Sequence, residues 1–348
     1  MDPCGRYSET YQNDMAMIRT QRQWLILISF LILLFCLPLF LPARYIGILT
    51  MMAIMGIAVI GLQITTGYAG QINIGQAAFV GTGGYITAFL AHHFGLPFWL
   101  TIPGGGLAAG LVGFIFGLPS LRVKGFYLAL TTLAFHFIFP FALLRLPGFG
   151  GPEGLSLKPA TLGGIIFVTN TQMYYLIMAV TVIMVYFAYG VVRSRIGRAF
   201  TAIRDDENAA QILGIKLSYY KTLAFAIGTF FAGVAGGLWA YYFRYITVEQ
   251  FTFFQSIWFL GMTIVGGLGS ILGAILGTVF LRGFEEIITY LAPLLIEILP
   301  FASKEFWFAS MNLVLGLIIV LFLIFEPRGI VHRWNIFKAT YRLWPFPY

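Results

Sequence analysis

Charge is what this chain of 348 residues has least of: Asp, Glu, Lys and Arg together make up 10% of it, against about a quarter in soluble domains. A chain so poor in charge cannot cover a water-facing surface, which excludes a soluble globular fold. Cysteine is nearly missing. Cys4 and Cys36 are too few, and wrongly placed, for a disulfide framework or a metal site. No Gly-Lys pair occurs, so the chain has no P-loop and cannot hydrolyse ATP through one. His-x-x-x-His and Cys-x-x-Cys spacings are absent, and the adjacent His92 and His93 point to different faces of a helix. No metal site is expected. No nucleophile with a base and an orienting group can be assembled from the sequence. No catalytic residue is expected, and the chain reads as a non-enzyme.

Apolar residues are abundant: 59% of the chain is hydrophobic, and the mean hydropathy is +0.87. Apolar segments recur at 24–42, 45–65, 72–91, 98–118, 126–146, 173–192, 221–243, 253–271, 273–291 and 306–325. Each is near the length that crosses a hydrocarbon core as helix. They do not alternate, so a β-barrel is excluded. The expected fold is all-α: a polytopic transmembrane bundle of about eight to ten spans, with interrupted or re-entrant helices and a possible inverted repeat. The net charge of +8 comes from basic residues flanking the apolar runs, as membrane orientation requires. Nucleic acid is therefore not an expected partner; the lipid bilayer is.

Basic residues set the orientation. Arg6, Arg19 and Arg22 place the N-terminus inside, and so do the loop around Arg193–Lys221 and the tail with Arg328, Arg333, Lys338 and Arg342. Six segments precede that loop and four follow it, so the parity closes. Residues 1–23 read as a cytosolic tail ahead of a retained first span, not as a signal peptide. Residues 24–326 form the transmembrane domain, with a cytosolic loop at 193–220, and 327–348 form a cytosolic tail.

Within the spans, glycines spaced four apart (Gly106/Gly110, Gly113/Gly117, Gly233/Gly237, Gly269/Gly273/Gly277) let helices approach closely. Glu285 and Glu286 lie three and four residues from Arg282, which allows local neutralisation; an ion-conducting role is the minority reading. His136, alone in a span, is expected to be a hydrogen-bonded structural residue. Residues 67–84 are dense in glycine and amides, including Tyr68, Gln71, Asn73 and Gln76, and read as an interrupted helix. Broken helices aim backbone dipoles at a polar solute, although amides also repair the broken backbone. A second Gly-rich stretch at 266–273 is a candidate matching element.

The most polar stretch is 197–215, where Asp205, Asp206 and Glu207 stand side by side among arginines that include Arg198 and Arg204. The expectation is one short amphipathic helix, Ala199 to Leu213, carrying Ala209 and Ala210 into contact with a partner. Gly214 would end it in the left-handed conformation. The bland alternative is a solvated loop that only fixes topology.

At this loop the sequence resembles the LivM-like permease subunits of branched-chain amino-acid ABC importers. The pattern Gly-Arg-x-x-x-Ala-Ile-Arg-Asp-Asp-Glu-x-Ala-Ala-x-x-Leu-Gly-Ile stands at 197–215. Further matches are Gly67–Phe79, Gly150–Leu155, Val265–Ser270 and Phe325–Gly329, and the likeness covers roughly residues 24–332. Glu153 stands where Asp is common in the family, and Asn208 where an apolar residue is frequent. The resemblance implies a coupling helix with Arg198, Arg204, Asp205, Asp206, Glu207, Ala209, Ala210 and Gly214 at a cytosolic ATPase. It also implies a second permease in a heterodimer, two P-loop ATPase subunits that hold ATP and magnesium, and a periplasmic binding protein. The binding protein would dock near Gly151, Glu153 and Gly154, and leucine, isoleucine or valine would pass inward across a bacterial inner membrane. Relatives carrying urea, short amides or other amino acids, and an ion-coupled secondary transporter, are the alternatives.

Overall fold

The computed structural model describes residues 21–121, 125–298 and 304–343. Nearly all of them are helical. In chain order the helices are α1 (Gln21–Phe40), α2 (Ala43–Leu62), α3 (Gln76–Phe94), α4 (Phe98–Gly117), α5 (Phe126–Arg145) and α6 (Asn170–Arg193). Two short helices follow, α7 (Arg195–Asp205) and α8 (Glu207–Ile212). Then come α9 (Leu217–Phe243), α10 (Phe253–Gly266), α11 (Ile271–Ile298), α12 (Lys304–Phe325) and α13 (Ile330–Leu343). The expected polytopic helical bundle is what forms, and each of the ten apolar segments lies mostly on a helix. Most of the tail expected at 1–23 lies outside the described residues.

Six helices among the described residues are long and apolar enough to cross a membrane, or up to seven if the bent pair α10 and α11 is one span. That pair turns by 117° at its break. α3 has the length of a span, but Gly81, Gly83, Gly84, His92 and His93 dilute its apolarity. α12 lies partly among residues whose side chains are not described.

Close tertiary ties sort the helix ends into two groups. At one end, Gln63 Nε2 donates to Gly267 O at 2.8 Å, Arg204 Nη1 donates to Gly67 O at 3.0 Å, and Gly329 lies against Gly267. The exits of α2, α7, α10 and α12 therefore share one end of the bundle. At the other end the strand β1 (Leu155–Ser156) pairs antiparallel with β4 (Tyr245–Ile246), and Arg244 Nη2 donates to Val168 O at 2.6 Å. A second small hairpin joins β2 (Thr161–Leu162) to β3 (Ile165–Ile166).

The core is built around α9, which packs on α2, α3 and α4. Bare backbone makes this possible. A Cβ on Gly236 would sit 1.8 Å from Val80 O, and one on Gly83 would sit 2.2 Å from Gly233 Cα. The expected glycine stripe of α4 also packs: Gly106, Gly110, Gly113 and Gly117 face Phe230, Ala226, Thr229 and Phe225 of α9 in turn. Small residues bring helices together where lipid supplies no hydrophobic drive. In contrast α1 is peripheral, with Trp24, Leu25, Ile26 and Phe40 exposed, and it is tied in where Tyr174 Oη donates to Leu34 O at 2.8 Å.

Candidate functional site: the helix-break node and the α7–α8 hairpin

α2 runs past Leu62 into a π-helical turn, Gln63–Tyr68, and then breaks over 69–75 before α3 begins. The interrupted helix expected at 67–84 is therefore real. The second break, 267–270, separates α10 from α11. The two breaks meet: a Cβ on Gly67 would lie 2.7 Å from Gly269 N, and Gln63 reaches Gly267. Gly267 and Gly269 hold φ of 109° and 81°, a conformation that L side chains rarely adopt.

The four polar residues expected in a solute path separate by role. Asn73 and Gln76 are fully buried and are spent on the break itself. Asn73 Nδ2 donates to Gln76 Oε1 at 2.8 Å, Asn73 Oδ1 accepts from Gly75 N at 3.0 Å, and Gln76 Nε2 donates to Ala58 O at 2.8 Å. The repair role is the one these two fill. Gln71 is different. It is buried, yet neither its Nε2 nor its Oε1 has a hydrogen-bond partner, which is costly for a buried amide. Tyr68 is half-buried at the same place.

Three contributors at this node were not singled out in the sequence. Gln63 is a lone amide in an apolar run, and its position beside the break was the available signal. Ser256 Oγ accepts from Ala77 N at 3.0 Å, and Thr132 Oγ1 accepts from Ile74 N at 3.0 Å. Both cap backbone donors freed by the break. They come from distant helices, and no local pattern announces them.

The charged stretch departs from the expected single helix. Asp206 adopts extended backbone, φ −157° and ψ 113°, and ends α7. Its Oδ1 accepts from Asn208 N at 2.8 Å and Ala209 N at 3.1 Å, so it caps α8. A side chain that satisfies the free N–H groups of a new helix competes with continuing the old one. Gly214 behaves as expected, at φ 85°. Ile215 N donates to Ala210 O and Gly214 N to Gln211 O, both at 3.0 Å, which is a Schellman end.

Ala210 was expected to face a partner but is buried in its own chain. It lies on the side of α8 that also carries Glu207, whose carboxylate Oε1 is 2.6 Å from the buried Lys221 Nζ of α9. Ala209 is exposed. The large apolar residues that stand out into solvent beside it are Ile212, 85% exposed, and Leu213, 79% exposed. The alanines drew attention in the sequence for their small size, whereas position on α8 decides which side chains protrude.

α7 is held from below. Ser194 Oγ accepts from Ile196 N at 3.2 Å, and Gly197, Ala199, Phe200 and Ile203 are buried. Arg198 is exposed and donates to Arg193 O at 3.4 Å. Arg204 does more. Its Nη1 donates to Gly67 O, its Nε and Nη2 hold Asp205 Oδ1 at 3.1 and 2.9 Å, and its stem lies against Gly70. One side chain thus joins α7 to the end of α2, where a cation suits the helix C-terminus.

At the opposite end Gly150, Gly151 and Gly154 all take positive φ. A Cβ on Gly154 would sit 2.2 Å from Ile246 O, and Tyr245 Oη donates to Glu153 O at 2.5 Å. This loop is fastened to the exit of α9, with the Glu153 side chain exposed. Arg282 pairs with Glu285 at 2.5 Å and Glu286 at 3.2 Å, the expected local neutralisation. His136 is buried against Phe253, but its Nδ1 has no partner, so the hydrogen-bonded role fails for that nitrogen. Its ring lies against those of Phe137 and Phe253.

Comparison with known proteins matches residues 44–324 to the family described as branched-chain amino acid transport system / permease component. The high-affinity branched-chain amino acid transport system permease protein LivM of Salmonella typhimurium is 32% identical over 337 residues, covering 90% of this chain and 76% of the relative. LivM of Escherichia coli is 31% identical over the same shares. The permease protein LivH of Salmonella typhimurium is 27% identical over 191 residues, 55% of this chain and 54% of the relative. No solved structure matches the chain. The chain belongs to the family of branched-chain amino acid transport permease components.

Proposed function

We propose that this chain is one of two permease subunits of an ATP-driven importer that moves leucine, isoleucine or valine into the cytoplasm across a bacterial inner membrane. The observation that carries the reading is α9. It is one unbroken helix of 27 residues, about 40 Å long. One end is fastened through Lys221 to Glu207 of α8. The other is fastened through Tyr245 and Ile246 to the 150–156 loop. A single rigid element thus links the two places where outside and inside partners would engage.

In this reading the α7–α8 hairpin lies in the cytoplasm, together with both chain termini. Ile212 and Leu213 enter a groove of a P-loop ATPase subunit, which holds the ATP and magnesium that this chain has no motif to bind. Two such subunits close on ATP and drive the hairpin. A periplasmic binding protein delivers solute at Glu153 and its flanking glycines. A second permease related to this one completes the pathway, as the LivH-type relative suggests.

The chemistry at the node follows from the residues. A branched-chain amino acid carries an ammonium and a carboxylate that need hydrogen bonds during passage. Gln71 offers an amide nitrogen and an amide oxygen that the protein leaves unused. One neutral amide binds weakly, which suits a path that must release its solute. The test is reconstitution of the chain with a second permease, ATPase subunits and a leucine-binding protein in proteoliposomes. Leucine-stimulated ATP hydrolysis with leucine accumulation supports the reading; ATP-independent uptake driven by an ion gradient would replace it with secondary transport.

A further inference from the structure

α13 follows α12 after a turn at 326–329 and is the last described element. Ile330, Trp334 and Phe337 fall four and three residues apart, on one face of the helix. Trp334 is 50% exposed and Phe337 60%, and their rings stack at 5.8 Å. Lys338 places its Nζ 5.5 Å from the centre of the Trp334 ring. Ile330 is half-buried beside Gly329, which is itself set against Gly267. Beyond that anchor, every residue from 333 to 340 is exposed. Arg333 is spent on an ion pair with Glu326. From Pro327 to Tyr348 the chain has Arg328, Arg333, Lys338 and Arg342 and no acidic residue.

We propose that this face of α13 is a lipid-binding surface that lies on anionic headgroups, on the side of the bilayer that carries α7 and α8. Three observations choose lipid as the occupant. The helix emerges directly from an apolar helix, so it begins at the boundary between hydrocarbon and water. Its aromatic face bears Trp, the residue enriched at that boundary. Its charged residues are all basic, and Lys338 stands at the edge of the stripe, where its stem runs along apolar surface and its ammonium reaches a headgroup. Such helices bind by apolar area together with attraction to anionic lipid. Gly329 and Gly267 connect this surface to the second helix break, so lipid contact and the node share one end of the bundle.

The experiment uses the full chain with Cys4→Ser and Cys36→Ser, a single spin label at Phe337→Cys or Ala339→Cys, and nanodiscs of phosphatidylcholine alone or with one third phosphatidylglycerol. Position 337 lies on the stripe and 339 nearly opposite it. With phosphatidylglycerol present, the label at 337 should be reached by oxygen and shielded from a water-soluble nickel chelate, and the label at 339 should show the reverse. Removing the anionic lipid, or adding Lys338→Glu, should raise nickel access at 337 several-fold. Nickel access at both positions in anionic discs overturns the proposal. Shielding of 337 from both reagents also overturns it, by showing a protein neighbour. Equal depth in both lipid compositions overturns the role of the headgroup charge. No readout depends on which solute the protein carries.

Discussion

Arg204 Nη1 donates to the main-chain oxygen of Gly67 at 3.0 Å, a bond that joins the charged hairpin to the end of a broken membrane helix 137 residues away in sequence. The same guanidinium lies beside Gly269 of the other break. Three segments remote in sequence therefore share one cation.

Arg204→Ala should lower transport about tenfold or more while ATP hydrolysis by the assembled complex persists, because in the proposed importer the hairpin would still dock but would no longer be tied to Gly67. Arg204→Lys, which keeps the charge and loses the planar fork, should fall between. The check is the ratio of leucine moved to ATP hydrolysed in proteoliposomes. A parallel fall of both, at fixed ratio, would show that Arg204 serves only folding or docking.

Glu207→Arg places a cation against the buried Lys221. Removing one partner of a buried pair costs about 3 to 5 kcal/mol. Uptake should be lost while the chain stays in the membrane, since the spans themselves are unchanged. Lys221→Glu added to that variant should restore a substantial part of the uptake. Wild-type leucine uptake by Glu207→Arg alone would remove this ion pair from the coupling route.

Gly236→Ala should abolish recovery of folded protein, because the new Cβ would sit 1.8 Å from Val80 O, a backbone atom that cannot step aside. Gly190→Ala on α6 is the control: nothing lies within 4 Å of its Cβ position, and its yield should match wild type. Size-exclusion profiles of the two variants in one detergent decide the matter. Normal monodisperse Gly236→Ala would contradict the close approach of α3 and α9.

Gln71 and Gln76 should behave oppositely. Gln76→Ala removes bonds to Ala58 O and Asn73, and each buried group left unsatisfied costs about 1 to 3 kcal/mol, so the thermal midpoint should drop. Gln71→Ala removes a side chain with no partner to lose. Its midpoint should hold or rise while the KM for leucine uptake increases several-fold. A lowered midpoint for Gln71→Ala with unchanged KM would assign it to structure.

The sequence disclosed the parts of the fold that depend on local pattern. Runs of apolar residues became helices, and the glycine-rich stretches became breaks because glycine tolerates the φ values that Gly267 and Gly269 adopt. Gly214 was legible as a helix end for the same reason. What was hidden depends on partners far away in the chain. Asp206 looked like one acid among three until its backbone turned extended and its carboxylate capped α8. Glu207 read as one of the residues that would meet an ATPase, whereas its carboxylate pairs with the buried Lys221 of its own chain. Gln71 and Gln76 are the same residue type five positions apart, and the presence of Ala58 O and Asn73 Nδ2 beside Gln76 separates a stitch from an open amide.

In the proposed importer the α7–α8 hairpin docks an ATPase through Ile212 and Leu213. The most direct test is purification of the tagged chain from native membranes in mild detergent, beside Leu213→Asp, with identification of what remains bound. Wild type should retain one further permease and P-loop ATPase subunits. Leu213→Asp should keep the permease and lose the ATPases, since that side chain is 79% exposed. Recovery of the wild-type chain alone or as a homo-oligomer, or full ATPase retention by Leu213→Asp, would contradict this docking.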